Sequence, residues 1–217
     1  MVLSNIKTKK YTFLIILDLL IILLIILLNF KLLVFNNNFY EKEFEKNSIN
    51  NNINKSVLEY NKNVLFNYFK NNDNLDNSFF NEKEKLHLID VKNLINIAFI
   101  LLYILLIIFV ILTSYLLYKK EYLTILDSFM ISGLSLIIFL IIVSLFNFNN
   151  LFYNFHLLIF NNDLWLLDPL KDNLIKMFPE YFFYDFFKTL ILNILITSIF
   201  LIASSFIIRL LIKRSRG

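Results

Sequence analysis

Residues 11–35 read YTFLIILDLLIILLIILLNFKLLVF, an apolar run long enough to cross a membrane as one helix. A hydrocarbon core of roughly 30 Å needs about 20 mostly apolar residues in an α-helix. Three further stretches meet the same length requirement, at 94–117, 122–146 and 189–212. Because a spanning helix satisfies its backbone hydrogen bonds internally, we predict an all-α integral membrane protein with four transmembrane helices.

The composition of the whole chain agrees with this class. Hydrophobic residues make up 58% of its 217 residues, compared with roughly 45–50% in soluble domains. The chain has no cysteine, which excludes disulfides, thiolate metal sites and a cysteine nucleophile. The basic residues behind its net charge of +4 are not gathered on one face, so no nucleic-acid partner is predicted.

Basic residues set the expected orientation in the membrane. They precede the first run, occupy the turn between the second and third, and close the fourth: Lys7, Lys9, Lys10, Lys119, Lys120, Arg209, Lys213, Arg214 and Arg216. With four spans, all three clusters fall on one side, which the positive-inside rule makes cytoplasmic. We therefore predict a multi-pass membrane protein with both termini in the cytoplasm and an uncleaved signal-anchor as its first span.

The apolar runs divide the chain into seven segments. In order, we expect a cytoplasmic N-terminus with the first span, a first extracellular segment, the second span, a cytoplasmic turn, the third span, a second extracellular segment, and the fourth span with a basic cytoplasmic tail: 1–35, 36–93, 94–117, 118–121, 122–146, 147–188 and 189–217. The two outer segments predict a small, mostly helical extracellular cap.

Local patterns predict helices in both outer segments. In the first, Ser56 followed by Glu59 is a capping-box pattern that opens a helix continuing to Phe69. In the second, Asp168 as N-cap and Pro169 at the first helical position open a short helix. Its apolar stripe predicts a helix lying in the membrane interface: Leu170, Leu174, Met177 and Phe178.

Residue types that are rare elsewhere gather in the second outer segment and the start of the last helix. The stretch 152–187 contains the only tryptophan, Trp165, both prolines and four of the nine aspartates. The rest of the chain is mostly Leu, Ile, Phe, Asn and Lys. This concentration indicates a place where specific side chains are needed.

The two histidines of the chain are the strongest candidates for chemistry. His87 precedes the second span and His156 follows the third, so the predicted topology puts both on the outer face. Asp90 lies three residues after His87, on the same side of a helix, and Asp163 and Asp168 follow His156 at loop distances. A histidine near a membrane surface is often only a polar anchor, but two of them, each followed by aspartate, favour general acid–base work.

Motifs for other chemistries are absent from the sequence. It has no H-E-x-x-H pair and no recognised metal-ligand spacing, although His and Asp are zinc ligands in general. It has no G-x-S-x-G elbow, and its two glycines cannot build a glycine-rich phosphate loop. A base that activates a nucleophile supplied by the substrate remains open.

Three stretches of sequence resemble one bacterial family of four-span membrane proteins. They are FHLLIFNNDLWLLDPLKDNLIKMFPEYFFYD at 155–185, EKLHLIDVK at 84–92 and FNNNFYEKEFEKNSI at 35–49. The family pattern is an F-H pair, then N-D-x-W-x-x-D-P, then F-P-E-x-F-F-x-D, with a second histidine motif before the second span. The chain thus resembles the family that includes the lipoprotein intramolecular transacylase, Lit, over nearly its whole length.

The resemblance implies an acyltransferase of the bacterial cell membrane with its active face outside. Its substrate would be a lipoprotein, whose diacylglyceryl-modified N-terminal cysteine would receive its own sn-2 acyl chain on the α-amino group. The partners would be that lipoprotein terminus and membrane lipid, and neither a cofactor nor a metal would take part. On this hypothesis His87 is the general base, oriented by Asp90, and His156 positions the substrate or stabilises the oxyanion. The side chains that shape the loop of His156 would be Asp163, Trp165 and Asp168.

Two other interpretations stay open at this point. The first is a non-catalytic membrane module that binds lipoproteins or another envelope protein through the same aromatic segment. The second is an interfacial metal-dependent hydrolase that uses both histidines and nearby aspartates. The sequence leaves open the oligomeric state, the acyl-chain preference and which histidine is the base.

Overall fold

The protein is represented by a computed structural model that describes residues 2–51, 54–70, 75 and 78–215, with side chains from Phe13 onward except those of 49–51. In these ranges the regular elements are eight α-helices. Their bounds are α1 Val2–Val34, α2 Asn37–Asn51, α3 Lys55–Lys70, α4 Glu82–Tyr118, α5 Tyr122–Ser144, α6 Phe148–Ile159, α7 Asn173–Met177 and α8 Glu180–Arg214.

Four of these helices are long and apolar enough to cross a membrane, namely α1 from Phe13, α4, α5 and α8. The predicted fold class is confirmed: the chain is an all-α integral membrane protein. Helix α4 has 37 residues, about 55 Å at 1.5 Å per residue. That is well beyond a roughly 30 Å hydrocarbon core, because polar turns carrying His87 precede the apolar stretch that starts at Leu94.

The chain divides into two compact units. The first unit consists of Met1–Phe30, Phe99–Leu145 and Leu190–Gly217, and the second of Lys31–Ala98 and Phe146–Thr189. The second unit contains both histidines and every site residue predicted above.

Helix α1 supplies the largest share of the core of the first unit. Its buried residues recur at the spacing of one helix face, and α4, α5 and α8 add the remainder: Leu17, Leu20, Ile21, Leu24, Ile25, Leu102, Leu116, Ile125, Leu136, Leu140 and Ile194. Small residues let backbones approach closely in lipid. A Cβ on Gly133 of α5 would lie 2.8 Å from Cγ1 of Ile202 on α8, so no larger residue fits there without a shift.

Aromatic rings build the core of the second unit. The ring centroid of Tyr40 lies 4.8 Å from that of Phe66 and 5.4 Å from that of Phe182. The Tyr40 hydroxyl donates to the carbonyl of Val34 at 2.9 Å, which satisfies its one polar atom. Helices α2, α3 and α7 and the first turns of α4 and α8 are joined through this cluster.

Two local predictions are corrected by the structure. The helix predicted to start at Asp168-Pro169 begins only at Asn173, because Asp168 instead forms a turn in which its carboxylate accepts from the N–H of Leu170. Leu174 and Met177 are buried in the core of the second unit, so these two residues of the predicted stripe pack against protein. Helix α3 starts one residue before Ser56, and the side chain of Asn54 accepts from the Ser56 N–H.

Candidate active site

A capping box at the start of α4 positions His87. The N–H of Asn81 donates to the Glu84 carboxylate at 2.7 Å, and the N–H of Glu84 donates to the Asn81 side chain at 3.0 Å. The other carboxylate oxygen of Glu84 accepts from the backbone N–H of Leu174 at the start of α7. Glu84 is fully buried, so one carboxylate both begins α4 and ties it to α7, a turn before His87.

Further polar contacts hold the same turns of α4 against the loop that follows α6. The Asn81 amide donates to Asp172 at 2.7 Å, and the other oxygen of Asp172 accepts from the N–H of Asp168. The Lys83 ammonium donates to the carbonyl of Leu166. Bonds of this kind restrict the sliding of α4 along the loop, so the position of His87 relative to the loop is defined by several contacts at once.

Helix α6 positions His156. The side chain of Asn147 caps this helix by accepting from two backbone N–H groups in its first turn. One turn before its end, Nδ1 of His156 lies 2.7 Å from the carbonyl oxygen of Phe152. A carbonyl can only accept, so Nδ1 carries the proton, and the neutral ring has a free lone pair on Nε2.

Aromatic rings surround His156. Its ring is stacked with that of Trp165 at a centroid distance of 4.8 Å and meets that of Phe152 at 4.4 Å. The rings of Phe155 and Phe160 lie at 5.4 and 5.7 Å. This enclosure leaves the side chain buried and restricts its orientation.

The two imidazoles lie together inside this aromatic cluster. Their centroids are 6.4 Å apart, with an interplanar angle of 34°. His87 is only 7% exposed and His156 only 8%. Phe160 lies beside both rings, 5.2 Å from His87. Nδ1 of His87 is buried and has no hydrogen-bond partner among the described residues.

Both environments favour the neutral imidazole. Both rings belong to the second unit and lie outside the apolar spanning stretches, since His87 is about two turns before the stretch that starts at Leu94. Burial lowers the pKa of His87 to about 4; His156 and Lys83 act in the same direction, and Asp90 opposes them. Burial also lowers the pKa of His156, against the opposing effect of its bond to the Phe152 carbonyl. Two unprotonated imidazoles therefore face each other at neutral pH.

The other predicted site residues occupy different positions. Trp165 lies on His156, as described. The carboxylate of Asp90 accepts from the Asn162 amide at 2.9 Å, which joins α4 to the loop after α6. Asp163 is exposed in that loop and its carbonyl accepts from Leu166, while Asp168 forms the turn before α7.

Several residues of the site were not identified from the sequence. Glu84 could have been found from its spacing to Asn81, which is a capping-box pattern with asparagine as the cap. Asn162 is the first residue of the N-D-x-W motif quoted above, which could have drawn attention to it, whereas nothing in the local sequence singles out Phe152 or Phe160 from the many other phenylalanines of the chain.

Metal binding receives no support from the described part of the chain. There, no three residues of the types His, Cys, Asp and Glu lie close enough together to hold a metal ion. What the site offers is a pair of neutral imidazoles in an aromatic enclosure, which is a setting for proton transfer and hydrogen bonding.

Comparisons with known proteins identify the family. The model of the family described as lipoprotein intramolecular transacylase Lit matches residues 15–183. No curated protein matches. The in meso structure of the membrane integral lipoprotein intramolecular transacylase Lit from Bacillus cereus is 27% identical, with a TM-score of 0.76 over 97% of this chain and 99% of that one.

A second structure of the Bacillus cereus protein, carrying a histidine-to-alanine mutation, is 26% identical, with a TM-score of 0.80 over 100% of this chain and 99% of that one. These matches extend over the four spans and both histidine regions. The chain therefore belongs to the Lit family of lipoprotein intramolecular transacylases, bacterial membrane proteins with acyltransferase activity.

Proposed function

We propose that this transacylase moves the sn-2 acyl chain of a diacylglyceryl-modified N-terminal cysteine onto the α-amino group of the same cysteine. The observation that carries the proposal is the pair of buried, neutral imidazoles 6.4 Å apart. They suit a reaction whose nucleophile is an amine of the substrate, because such a reaction needs a base and an oxyanion donor but no protein nucleophile.

The proposed reaction transfers the acyl chain within one molecule and needs no other reactant. The neutral amine attacks the sn-2 ester carbonyl, a C–N bond forms, and the carbonyl oxygen becomes an oxyanion. The C–O bond to glycerol then breaks and leaves the sn-2 oxygen as an alkoxide. One proton of the nitrogen passes to this alkoxide through the base. The products are an amide and a glyceryl hydroxyl on the same molecule, which is a lyso-form lipoprotein.

We assign the base to His156. Its Nδ1–H is used by the Phe152 carbonyl, so Nε2 accepts the proton of the amine and later returns it to the leaving oxygen. The sequence-based hypothesis gave this role to His87, with Asp90 as its orienting group. The contacts favour the reverse assignment, because Nδ1 of His87 has no hydrogen-bond partner among the described residues and burial holds the pKa of His87 at about 4, too low for an effective base near pH 7.

His87 is assigned to the oxyanion. A neutral imidazole has one N–H, which can donate to an oxygen that becomes negative in the transition state. Its apolar surroundings strengthen such a bond, since there is little water to screen it. General bases contribute roughly 10²–10⁴ in rate, and one oxyanion donor about 10²–10³.

Four variants test these roles on purified protein in detergent with a synthetic diacylglyceryl lipopeptide. Because the transfer is intramolecular, substrate and product have the same mass, so the readout is loss of reactivity toward an amine reagent together with fragment masses that place the acyl chain on nitrogen. We expect His156→Ala and His156→Gln to be equally impaired, whereas His87→Gln, which keeps an N–H donor, recovers part of the activity lost in His87→Ala.

Asn154→Ala is the matched control, since Asn154 is exposed on α6 and bonded only within its own helix in the contacts described. It should behave like the parent protein. Full activity of both alanine variants at the histidines would refute the proposed site, and rescue by His156→Gln but not by His87→Gln would reverse the two roles.

The orientation remains part of the proposal, with both termini cytoplasmic and the histidine site on the extracellular side. It is supported by the basic residues at the predicted inner ends of the spans. The absence of cysteine allows a direct test with Asn154→Cys and Ser215→Cys. An impermeant maleimide added to intact cells should label the first variant only, and the opposite pattern would overturn the orientation.

A further inference from the structure

An open groove of about 310 Å³ lies between α4 and the end of α6, and its lining begins at Asp90, one helical turn after His87. It is lined by Asp90, Asn93, Leu94 and Ile97 of α4 and by residues 159–162 at the end of α6. The four α4 residues are spaced as one helix face and extend about 10 Å along the axis. We name this feature the Asp90 groove.

The Asp90 groove starts at the site described above. Phe160 contributes to its wall and has its ring centroid 5.2 Å from that of His87. Asp90 follows His87 by three residues on α4, so the groove starts about one helical turn from the imidazole. A molecule in the groove therefore lies against Phe160, which contacts His87, and about one helical turn from His87 itself.

The lining changes from polar to apolar along α4. Asp90 and Asn93 lie at the end nearer His87, and Leu94 and Ile97 at the other end, where α4 continues into its apolar stretch. Ile97 is 62% exposed, an apolar surface open to a lipid chain. Such a gradient fits a ligand with one polar, charged end and a hydrocarbon body.

Asp90 determines the charge of that end, because it is the only charged residue of the lining. Its Oδ2 accepts from the Asn162 amide at 2.9 Å, which holds the carboxylate in place, and its side chain is only partly buried. A carboxylate retains further acceptor capacity after one such bond. Charge complementarity therefore selects a cation at the polar end.

We propose that the Asp90 groove binds the lipid-modified cysteine itself, with Asp90 receiving its α-ammonium and Leu94 and Ile97 contacting an acyl chain. This inference rests on the proposed function and names the residues that would hold its substrate. An α-amino group has a pKa of roughly 7.7–8.0, so it enters as the ammonium at neutral pH.

Asp90 then acts on two states of the nitrogen. It binds the ammonium before reaction. The ammonium must first lose one proton to solvent to become a neutral amine. When this amine attacks the ester, its nitrogen becomes positive again, and it stays positive until His156 removes a second proton. The carboxylate stabilises both cationic forms. This role differs from orienting His87, because it depends on charge in the substrate.

Binding measurements separate the two roles. The probes are two diacylglyceryl-cysteine peptides with ether linkages that cannot react, one with a free amine and one N-acetylated. Asp90→Asn removes the charge but keeps an acceptor for Asn162. We expect it to weaken binding of the free-amine probe roughly 10- to 100-fold, as for loss of a hydrogen bond between charged groups, and to leave the N-acetyl probe within about twofold.

Two further variants act as controls. Glu82→Gln removes a negative charge from the first turn of α4, where the side chain is 87% exposed, and should leave the preference for the free amine unchanged. Ile97→Ala removes only apolar contact, so it should weaken the binding of both probes equally. It should leave the binding of probes with two-carbon chains unchanged.

The outcomes also distinguish this inference from the proposed function. If the parent protein forms the N-acyl product but Asp90→Asn weakens both probes equally or neither, the groove assignment is overturned. A lower kcat with a shifted pH profile and unchanged probe preference would likewise overturn it and assign Asp90 to His87. Discrimination of the probes without any N-acyl product would refute the proposed reaction and retain the binding site.

Discussion

Lowering the pH from 7 to 4 should destabilise the fold through His87. The pKa of His87 in the folded protein is about 4, below its ordinary value of 6.5. Below pH 6.5 the unfolded chain takes up a proton that the folded chain excludes, so stability is complete above that pH and falls as the pH approaches 4. At about 1.4 kcal/mol per pH unit, the loss is about 3 kcal/mol.

The assay benefits from a chain with only two histidines. In protein labelled with ¹³C-histidine and held in detergent micelles, two imidazole signals report the two pKa values, and His87→Gln assigns them by removing one. We expect one midpoint near 4 for His87 and one below 6.5 for His156. A His87 midpoint at or above 6.5 would refute the inference that burial and the second imidazole keep this ring neutral.

The stability measurement uses the same variant. Because glutamine does not titrate, denaturant unfolding of His87→Gln should lose about 3 kcal/mol less than the parent protein between pH 6.5 and pH 4. The carboxylates are present in both proteins, so their contribution cancels in the difference. Parallel pH curves for the two proteins would show that His87 is not held neutral by the fold.

Three further substitutions test the packing that supports the site and the spans. Glu84→Ala leaves the buried N–H of Leu174 and the partly buried N–H of Asn81 without an acceptor, so it should lower the free energy of unfolding by about 3 kcal/mol. A loss below about 1 kcal/mol in micelle unfolding would contradict the role given to this carboxylate. Gly133→Val should lower the free energy of unfolding by about 1–3 kcal/mol, because the valine side chain would clash with Ile202. Adding Ile202→Ala should recover part of this loss. If the losses of the two substitutions simply add, the contact is excluded. Lys120 has a φ of 60°, so Lys120→Gly should raise stability by about 1 kcal/mol; an unchanged or lower melting temperature would count against strain at this turn.

Much of the fold could be predicted because the relevant signals are local. A run such as 11–35 must span or be buried, since about 20 apolar residues in a row have few other stable environments. The histidines and Trp165 stood out because the rest of the chain uses few residue types. The predicted helix start at Asp168-Pro169 was wrong because a capping pattern shows only that a helix could begin there. In the structure the carboxylate of Asp168 forms a turn, and the apolar side chains of α7 pack into the core of the second unit.

The sequence by itself determined the class of protein, the number of spans and which side chains were chemically unusual. Tertiary structure alone decided that the rings of His87 and His156 lie 6.4 Å apart, that Glu84 begins α4 and also binds α7, and that Asp90 accepts from Asn162. These contacts join residues that are far apart in the sequence, on different helices or on a helix and a loop. Their distances depend on how whole helices pack, whereas span length and helix propensity depend only on neighbours along the chain.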